Sequence, residues 1–298
     1  MISALYTLAG KLVEIKPSIT CLKTYKITKS QKPTFLTQSS PRIAPIGIDR
    51  DNPIKARGFI AGKNRQVQVS ASTHYHLDIE EIASFTVSGC GSTISRTALD
   101  SNSTDKQWEE VLLGPPLMLA LALQDNFALH GSALLSGATT LALVGCSGAG
   151  KSTLARELAL SGFAQRIADD VLPASFNGER GLVHPHFPQL KLSPQSQYPI
   201  KQPAALPMAA IIEVLAASPV CCEVPELKRA NAHQAIQILI RHTVAARLFP
   251  PALLSRHFAF CAHLSRTVPV FQLHYPHAHN TLPQVCSVIY ENIMKRLP

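Results

Sequence analysis

Apolar and polar positions change rhythm along this chain. Up to about residue 100 the period is two: RQVQVSAS (65–72) and HYHLDI (74–79) put every second side chain on one face, and clusters of Gly, Ser, Pro and Asn break the runs. Half-buried strands have this pattern. From Asp105 a helical period takes over in DKQWEEVLLG, and Pro115-Pro116 then end that helix and open another, PPLMLALALQD. FALHGSALL and TTLALVG read as two strands joined through SGA in a hairpin. After a glycine-rich stretch, LARELALSG has helical spacing with Gly162 as its stop, RIA is a short strand ending at Asp169-Asp170, and Asn177-Gly178 is a turn. MAAIIEVLA and VPVFQLHY read as strands. AHQAIQILIRHTVAARLF, PALLSRHFAFCAHLSR and LPQVCSVIYENIMKRL read as helices. Strands alternating with helices behind a run of strands predict an α/β domain over 105–298, preceded by a strand-rich N-terminal domain over 1–104.

Composition narrows the class. With 46% hydrophobic and 16% charged residues in 298, the chain can bury a core and is not a disordered one. No membrane partner is expected, because the longest apolar run, Val111 to Leu123, is short for a bilayer and Pro115-Pro116 interrupt it. No basic start precedes the short apolar stretch at the N-terminus, so no signal peptide is read there. Seven scattered cysteines without a C-x-x-C pair speak against a disulfide framework or a zinc knuckle, and a reducing cytoplasm is the expected compartment. The net charge of +9 belongs to the N-terminal segment: residues 1–66 hold 12 Lys/Arg against 3 Asp/Glu, and the rest holds 16 of each. Such a segment is either a solvated basic surface or a docking face for an acidic partner. Nucleic acid is not expected, because few aromatic residues interleave the basic ones.

The strongest chemical signal is Gly145-Cys146-Ser147-Gly148-Ala149-Gly150-Lys151-Ser152, which fits G-x-x-x-x-G-K-[ST] between an apolar strand and a helix. Glycines let the backbone curl so that N–H groups face phosphate, and the helix start adds partial positive charge at the same place. Lys151 reaches the β- and γ-phosphates of a nucleotide, Ser152 can ligate Mg²⁺, and Thr153 closes the binding stretch. Gly145 to Thr153 are therefore the expected ATP-binding residues. Asp169-Asp170 is the second signal. At a strand end beside the loop, one carboxylate can hold Mg²⁺ and the other can take a proton from an attacking hydroxyl. His130 lies on the strand leading into the hairpin, and by itself reads as a core histidine.

Together these elements resemble the catalytic domain of bacterial HPr kinase/phosphorylase. His130-Gly131, Gly145, Ser147, Gly148, Gly150, Lys151, Ser152, Ala155, Leu158, Gly162 and Ala168-Asp169-Asp170 carry the resemblance over residues 129–171. It implies a P-loop kinase domain of HPr-kinase-like type, with Asp169 on the metal side, Asp170 as the general base and His130 as a supporting polar group. Cys146 and Thr153 stand where that family usually has acidic residues, and its Glu-x-Arg-Gly-rich second signature is not recognisable. Pro185 to Leu192 (PHFPQLKL), HTVAARLF and VPVFQLHYP look more like the HPr-kinase-related serine kinases of lasso-peptide systems. This implies a peptide or protein serine acceptor, of the natural-product precursor type, and makes Lys191 a candidate phosphate contact. A homo-oligomer stays open.

Other features carry less. His274, His277 and His279 form H-x-x-H-x-H in a Pro-containing loop, where metal ligation would need converging geometry and usually a fourth ligand, so a metal site is not the expectation. Arg241, His242 and Arg247 lie on one predicted helix; Arg241 or Arg247 could stabilise transferring phosphoryl charge, but a solvated helix face is the first reading. GCSGAGKSTL also resembles the loop of ABC ATPases, but no LSGGQ-like motif and no apolar run ending in Asp-Glu follow it, and the guanine-specifying Asn-Lys-x-Asp is absent. The expectation is an ATP- and Mg²⁺-dependent serine kinase. The alternative is a P-loop ATPase or nucleotide-dependent binding or transport-associated protein without a phosphoacceptor.

Overall fold

The computed structural model describes residues 4–16, 19, 22, 25–26, 52–189, 191–192, 198–199, 201–215, 224–276 and 279–296. Much of the basic N-terminal segment, and His277, lie outside them. The chain divides into two compact units: Met1–Phe127 with Ala245–His257, and Ala128–Val244 with Phe258–Pro298.

The first unit is built on a seven-stranded sheet. Its strands are β1 (Ala4–Leu8), β2 (Lys11–Lys16), β3 (Ile54–Ile60), β4 (Lys63–Ala71), β5 (His74–Ile79), β6 (Ala83–Ser88) and β7 (Thr93–Leu99), in the order β1-β2-β7-β6-β5-β4-β3. Neighbours are antiparallel except β2 and β7, which run parallel. The period-two reading holds: Val67, Val69, Tyr75, Leu77, Ile79, Phe85 and Val87 are buried, with more exposed residues between them. Helix α1 (Asp105–Leu112) starts at a capping box between Thr104 and Gln107. Helix α2 (Pro115–Leu123) is buried at every position from Pro116 on. A helix apolar all round needs cover on all sides, and α2 packs against β6 and β7. Both helices therefore belong with the first sheet, and the unit runs to Phe127 instead of ending near residue 104.

The second unit carries β8 (Phe127–Ser136), β9 (Thr139–Val144), α3 (Lys151–Leu160), β10 (Gln165–Asn177), β11 (Arg180–Val183), β12 (Leu206–Val214), β13 (Glu226–Arg229), α4 (Ala232–Arg241), β14 (Val270–His274) and α6 (Leu282–Asn292). Helix α5 (Pro251–Thr267) counts with the first unit as far as His257. The strand order is β11-β10-β8-β9-β12-β14-β13. Strands β9, β12 and β14 run parallel, and β8 pairs antiparallel to β9 through a two-residue turn at Gly137-Ala138. Leu154 and Leu158 of α3, and Val285 and Ile289 of α6, join Leu141, Leu143 and Ile212 in one fully buried core. Each such side chain contributes roughly 1.5–3 kcal/mol relative to exposure.

Two elements differ from the sequence reading. The helix expected through HTVAARLF stops at Arg241: Thr243 bridges to Leu129, the Val244 N–H donates to the Ala128 carbonyl, and Ala245 turns to φ +60°. Strand β10 also does not end at the aspartate pair. It continues to Asn177, because its second half pairs with β11. The chain is thus an α/β protein with two sheets, and no helix among the described residues is long and apolar enough to cross a membrane.

Candidate active site

Strand β9 ends at Val144 and α3 begins at Lys151, so the glycine-rich loop joins a buried strand to a helix start. Gly145, Gly148 and Gly150 sit at φ +153°, +80° and +91°, which side-chain-bearing residues rarely adopt. At Gly145 a Cβ would also come within 2.5 Å of the Val214 carbonyl on β12. The first N–H groups of α3 have no partner within the helix, so they and the helix dipole offer an anion cradle. The Ala149 side chain is buried in the core, so what it offers the loop is its backbone. The Cys146 thiol is exposed.

His130, Ser147, Lys151, Ser152, Asp169 and Asp170 line one cavity of about 220 Å³, together with Gly148, Gly150, Thr153 and Lys191. The aspartates reach it from the middle of β10. Strand β8 lies between β9 and β10 and supplies the contacts that set them. Asp169, 3% exposed, accepts at Oδ1 from Ser152 Oγ at 2.7 Å and from Ser132 Oγ at 2.6 Å, and Arg166 Nη1 lies 3.6 Å from Oδ2. With its proton committed to Asp169, the Ser152 oxygen keeps its lone pairs for another ligand. Hydroxyl and carboxylate oxygens suit a hard cation, and Mg²⁺ is usually held by one or two such groups plus substrate phosphate. Among the described residues no group of three or more His, Cys, Asp or Glu could hold a metal by itself; His277 of the histidine-rich loop lies outside them.

Asp170 sits at φ +110°. Strain of this kind costs about 1–3 kcal/mol and persists only where the surroundings over-determine it. Lys191 Nζ donates to Asp170 Oδ1 at 2.7 Å. His130 Nδ1 lies 3.1 Å from the Asp170 carbonyl and 3.5 Å from Oδ1.

Lys151 Nζ donates to the Gly145 and Cys146 carbonyls, both at 2.8 Å, and contacts His130 Nε2 at 3.1 Å. An ammonium can only donate, so Nε2 accepts and Nδ1 carries the proton, which it gives to the Asp170 carbonyl. Burial, followed by the Lys151 charge, lowers the His130 pKa against the pull of Asp170. His130 is therefore neutral near pH 7, and its contact to the Asp170 carboxylate is not an ion pair. Burial also lowers the Lys151 pKa, with Lys191 adding to the effect. His130 is held in place through its backbone too, since its N–H donates to the His242 carbonyl at 2.7 Å, and Gly131 lets β8 approach β9 closely: a Cβ there would meet the Leu143 carbonyl at 2.3 Å.

Four participants were not among the sequence candidates. Ser132 and Arg166 flank Asp169. Gln189 accepts from the Asp169 N–H at 2.9 Å and donates to the Val171 carbonyl at 3.0 Å. Glu213, on β12 beside Val144, is 1% exposed and receives His242 Nε2 at 2.8 Å, Gln272 Nε2 at 2.9 Å and Arg241 Nη1 at 3.2 Å. These partners lower its pKa despite burial, which pulls the other way. His242 is thus buried as a hydrogen-bond partner of Glu213, away from the solvated face its spacing suggested, whereas Arg241 is 55% exposed and reaches Glu213 from the solvent side. A polar residue in an apolar run was the one local sign for Ser132 and Glu213.

No protein-family model and no curated protein matches the chain. Among solved structures it is similar to the Hpr(Ser) kinase/phosphatase from Coxiella burnetii, with 12% identity over 55% of this chain and 94% of that chain, at a TM-score of 0.32. At that level no residue role is carried over from it.

Proposed function

We propose that the chain is a kinase that binds ATP·Mg²⁺ at Gly145–Thr153 and moves the γ-phosphoryl group to a hydroxyl of a peptide or protein. The supporting observation is one cavity in which a phosphate-loop lysine and serine meet a buried carboxylate, Asp169, and a second, accessible one, Asp170. The loop N–H groups and Lys151 bind phosphate oxygens. Ser152 and Asp169 hold Mg²⁺, which when bound neutralises phosphate charge. Asp170 accepts the proton of the acceptor hydroxyl as its oxygen attacks phosphorus, and the bond to the leaving ADP breaks with its electron pair. His130, neutral and tied to both Lys151 and the Asp170 carbonyl, keeps the cation and the base in register. Lys191 contacts transferring phosphate once it leaves the Asp170 carboxylate. The basic N-terminal segment favours an acidic acceptor, and a serine in a precursor-type peptide is the acceptor class to test first.

The test is transfer of labelled γ-phosphate from ATP to serine-containing peptides by the purified chain. Wild type should label an acceptor and Lys151→Ala should not, with both equally folded. ATP hydrolysis that no hydroxyl acceptor diverts would overturn the kinase reading in favour of an ATPase.

A further inference from the structure

We propose that Gln189 is a positioning residue for Asp170: its side-chain amide clamps the backbone on both sides of the strained residue. The idea rests on the kinase reading for its catalytic consequence and on geometry alone for the clamp. Gln189 is 2% exposed, so its amide must be satisfied internally. Its Oε1 takes the Asp169 N–H at 2.9 Å and its Nε2 gives to the Val171 carbonyl at 3.0 Å. A primary amide presents donor and acceptor side by side, as a neighbouring strand's peptide groups would. Gln189 therefore stands in for a strand partner at the one point where β10 departs from extended geometry.

The residue between the two clamped groups is Asp170 at φ +110°. Released, it would return to the ordinary strand region and its carboxylate would swing away from the cavity. Released backbone would also move the Asp170 carbonyl from His130, breaking the link to Lys151. Two residues further on, Lys191 meets the Asp170 carboxylate itself at 2.7 Å. One short segment thus sets the base twice, through backbone by Gln189 and through charge by Lys191. A base displaced by about 1 Å loses much of its advantage, so a clamp of this kind is part of the catalytic geometry though it touches no substrate.

The experiment uses Gln189→Met, which keeps length and removes both hydrogen bonds, and Gln189→Glu, which keeps the acceptor for Asp169 and removes the donor to Val171. Each is made in the wild-type and Asp170→Asn backgrounds. Single-turnover transfer, ATP affinity and exchange of the Asp169 amide hydrogen are measured. Gln189→Met should slow transfer by about ten-fold or more with ATP affinity within about two-fold, and Gln189→Glu should fall between it and wild type. In the Asp170→Asn background Gln189→Met should cost a clearly smaller fraction of the residual rate, because the base that Gln189 positions is already gone and only the His130 link is left to lose. Loss of folded protein would lower both backgrounds alike. A wild-type rate in Gln189→Met, or an equal fractional loss in both backgrounds, overturns the positioning role. If the wild-type chain transfers to no hydroxyl, the kinase reading fails while the clamp is still decided by exchange: the Asp169 amide should exchange about ten-fold faster or more in Gln189→Met, and unchanged exchange overturns it.

Discussion

Replacing Asp170 by glycine should leave the protein about as stable as wild type, or more so, while removing most of its transfer activity. The φ of +110° at this position costs about 1–3 kcal/mol for a residue with a Cβ. Glycine escapes that cost but adds about 0.5–1 kcal/mol through its freer unfolded chain. The lost contact to Lys191 is worth at most about 1 kcal/mol, because the two side chains are 54% and 34% exposed. These contributions nearly cancel for Asp170→Gly. Asp170→Ala loses the same contact and keeps the strain, so it should be the less stable of the two by about 1–2 kcal/mol. Both variants lack the proton acceptor and should transfer about 10²–10⁴-fold more slowly. Urea denaturation at pH 7 measures the first quantity, and single-turnover transfer with saturating ATP the second. In an unstrained strand the order reverses, with alanine ahead of glycine by about 0.5–1 kcal/mol. That reversed order would refute the claim that the site holds Asp170 under strain, and an undiminished rate would refute its role as base.

His130→Ala should slow transfer by less than Asp170→Ala does, since the imidazole aligns Lys151 and Asp170 and moves no proton; an equal or greater loss per folded molecule would assign it a direct part. Glu213→Ala should destabilise the protein at pH 7 by roughly 1–3 kcal/mol for each of His242 and Gln272 left without its partner, and chemical denaturation checks this. Because the Glu213 pKa is lowered in the folded protein, its contribution is present above about pH 4.5 and is lost as pH falls below that. His257 packs its ring 5.3 Å from Phe127 and 5.8 Å from Phe249, and burial pushes its pKa down from 6.5 to about 4. The unfolded chain binds the proton first, so stability is full above pH 6.5 and falls by up to roughly 3 kcal/mol as pH drops toward 4; His257→Phe should flatten that part of the pH–stability curve, and an unaltered curve would exclude the histidine as its source.

What the sequence by itself determined is whatever short-range chemistry controls. The period-two runs of the first sheet, the proline-started α2, the hairpin before the glycine-rich loop and the loop itself follow from side-chain alternation and from glycine at positions only glycine tolerates. The membership of Lys151, Ser152 and the aspartate pair in one cavity was foreseeable once a strand–loop–helix unit was assumed, whereas His130 by its own spacing reads as a core residue. Where α2 packs was not, because a helix apolar on every face carries no direction. Nor could the course of β10 through Asp169-Asp170 be read, since its second half is held by β11 and its kink by residues far along the chain. Ser132 lies 37 residues from Asp169, Gln189 lies 20 residues from it, and His130 lies 40 from Asp170. Hydrogen bonds over such separations leave no local periodicity. The fold alone brings Ser132 to Asp169, and His130 and Gln189 to the backbone at and around the strained Asp170, and only there do an ordinary strand histidine and loop glutamine acquire a chemical role.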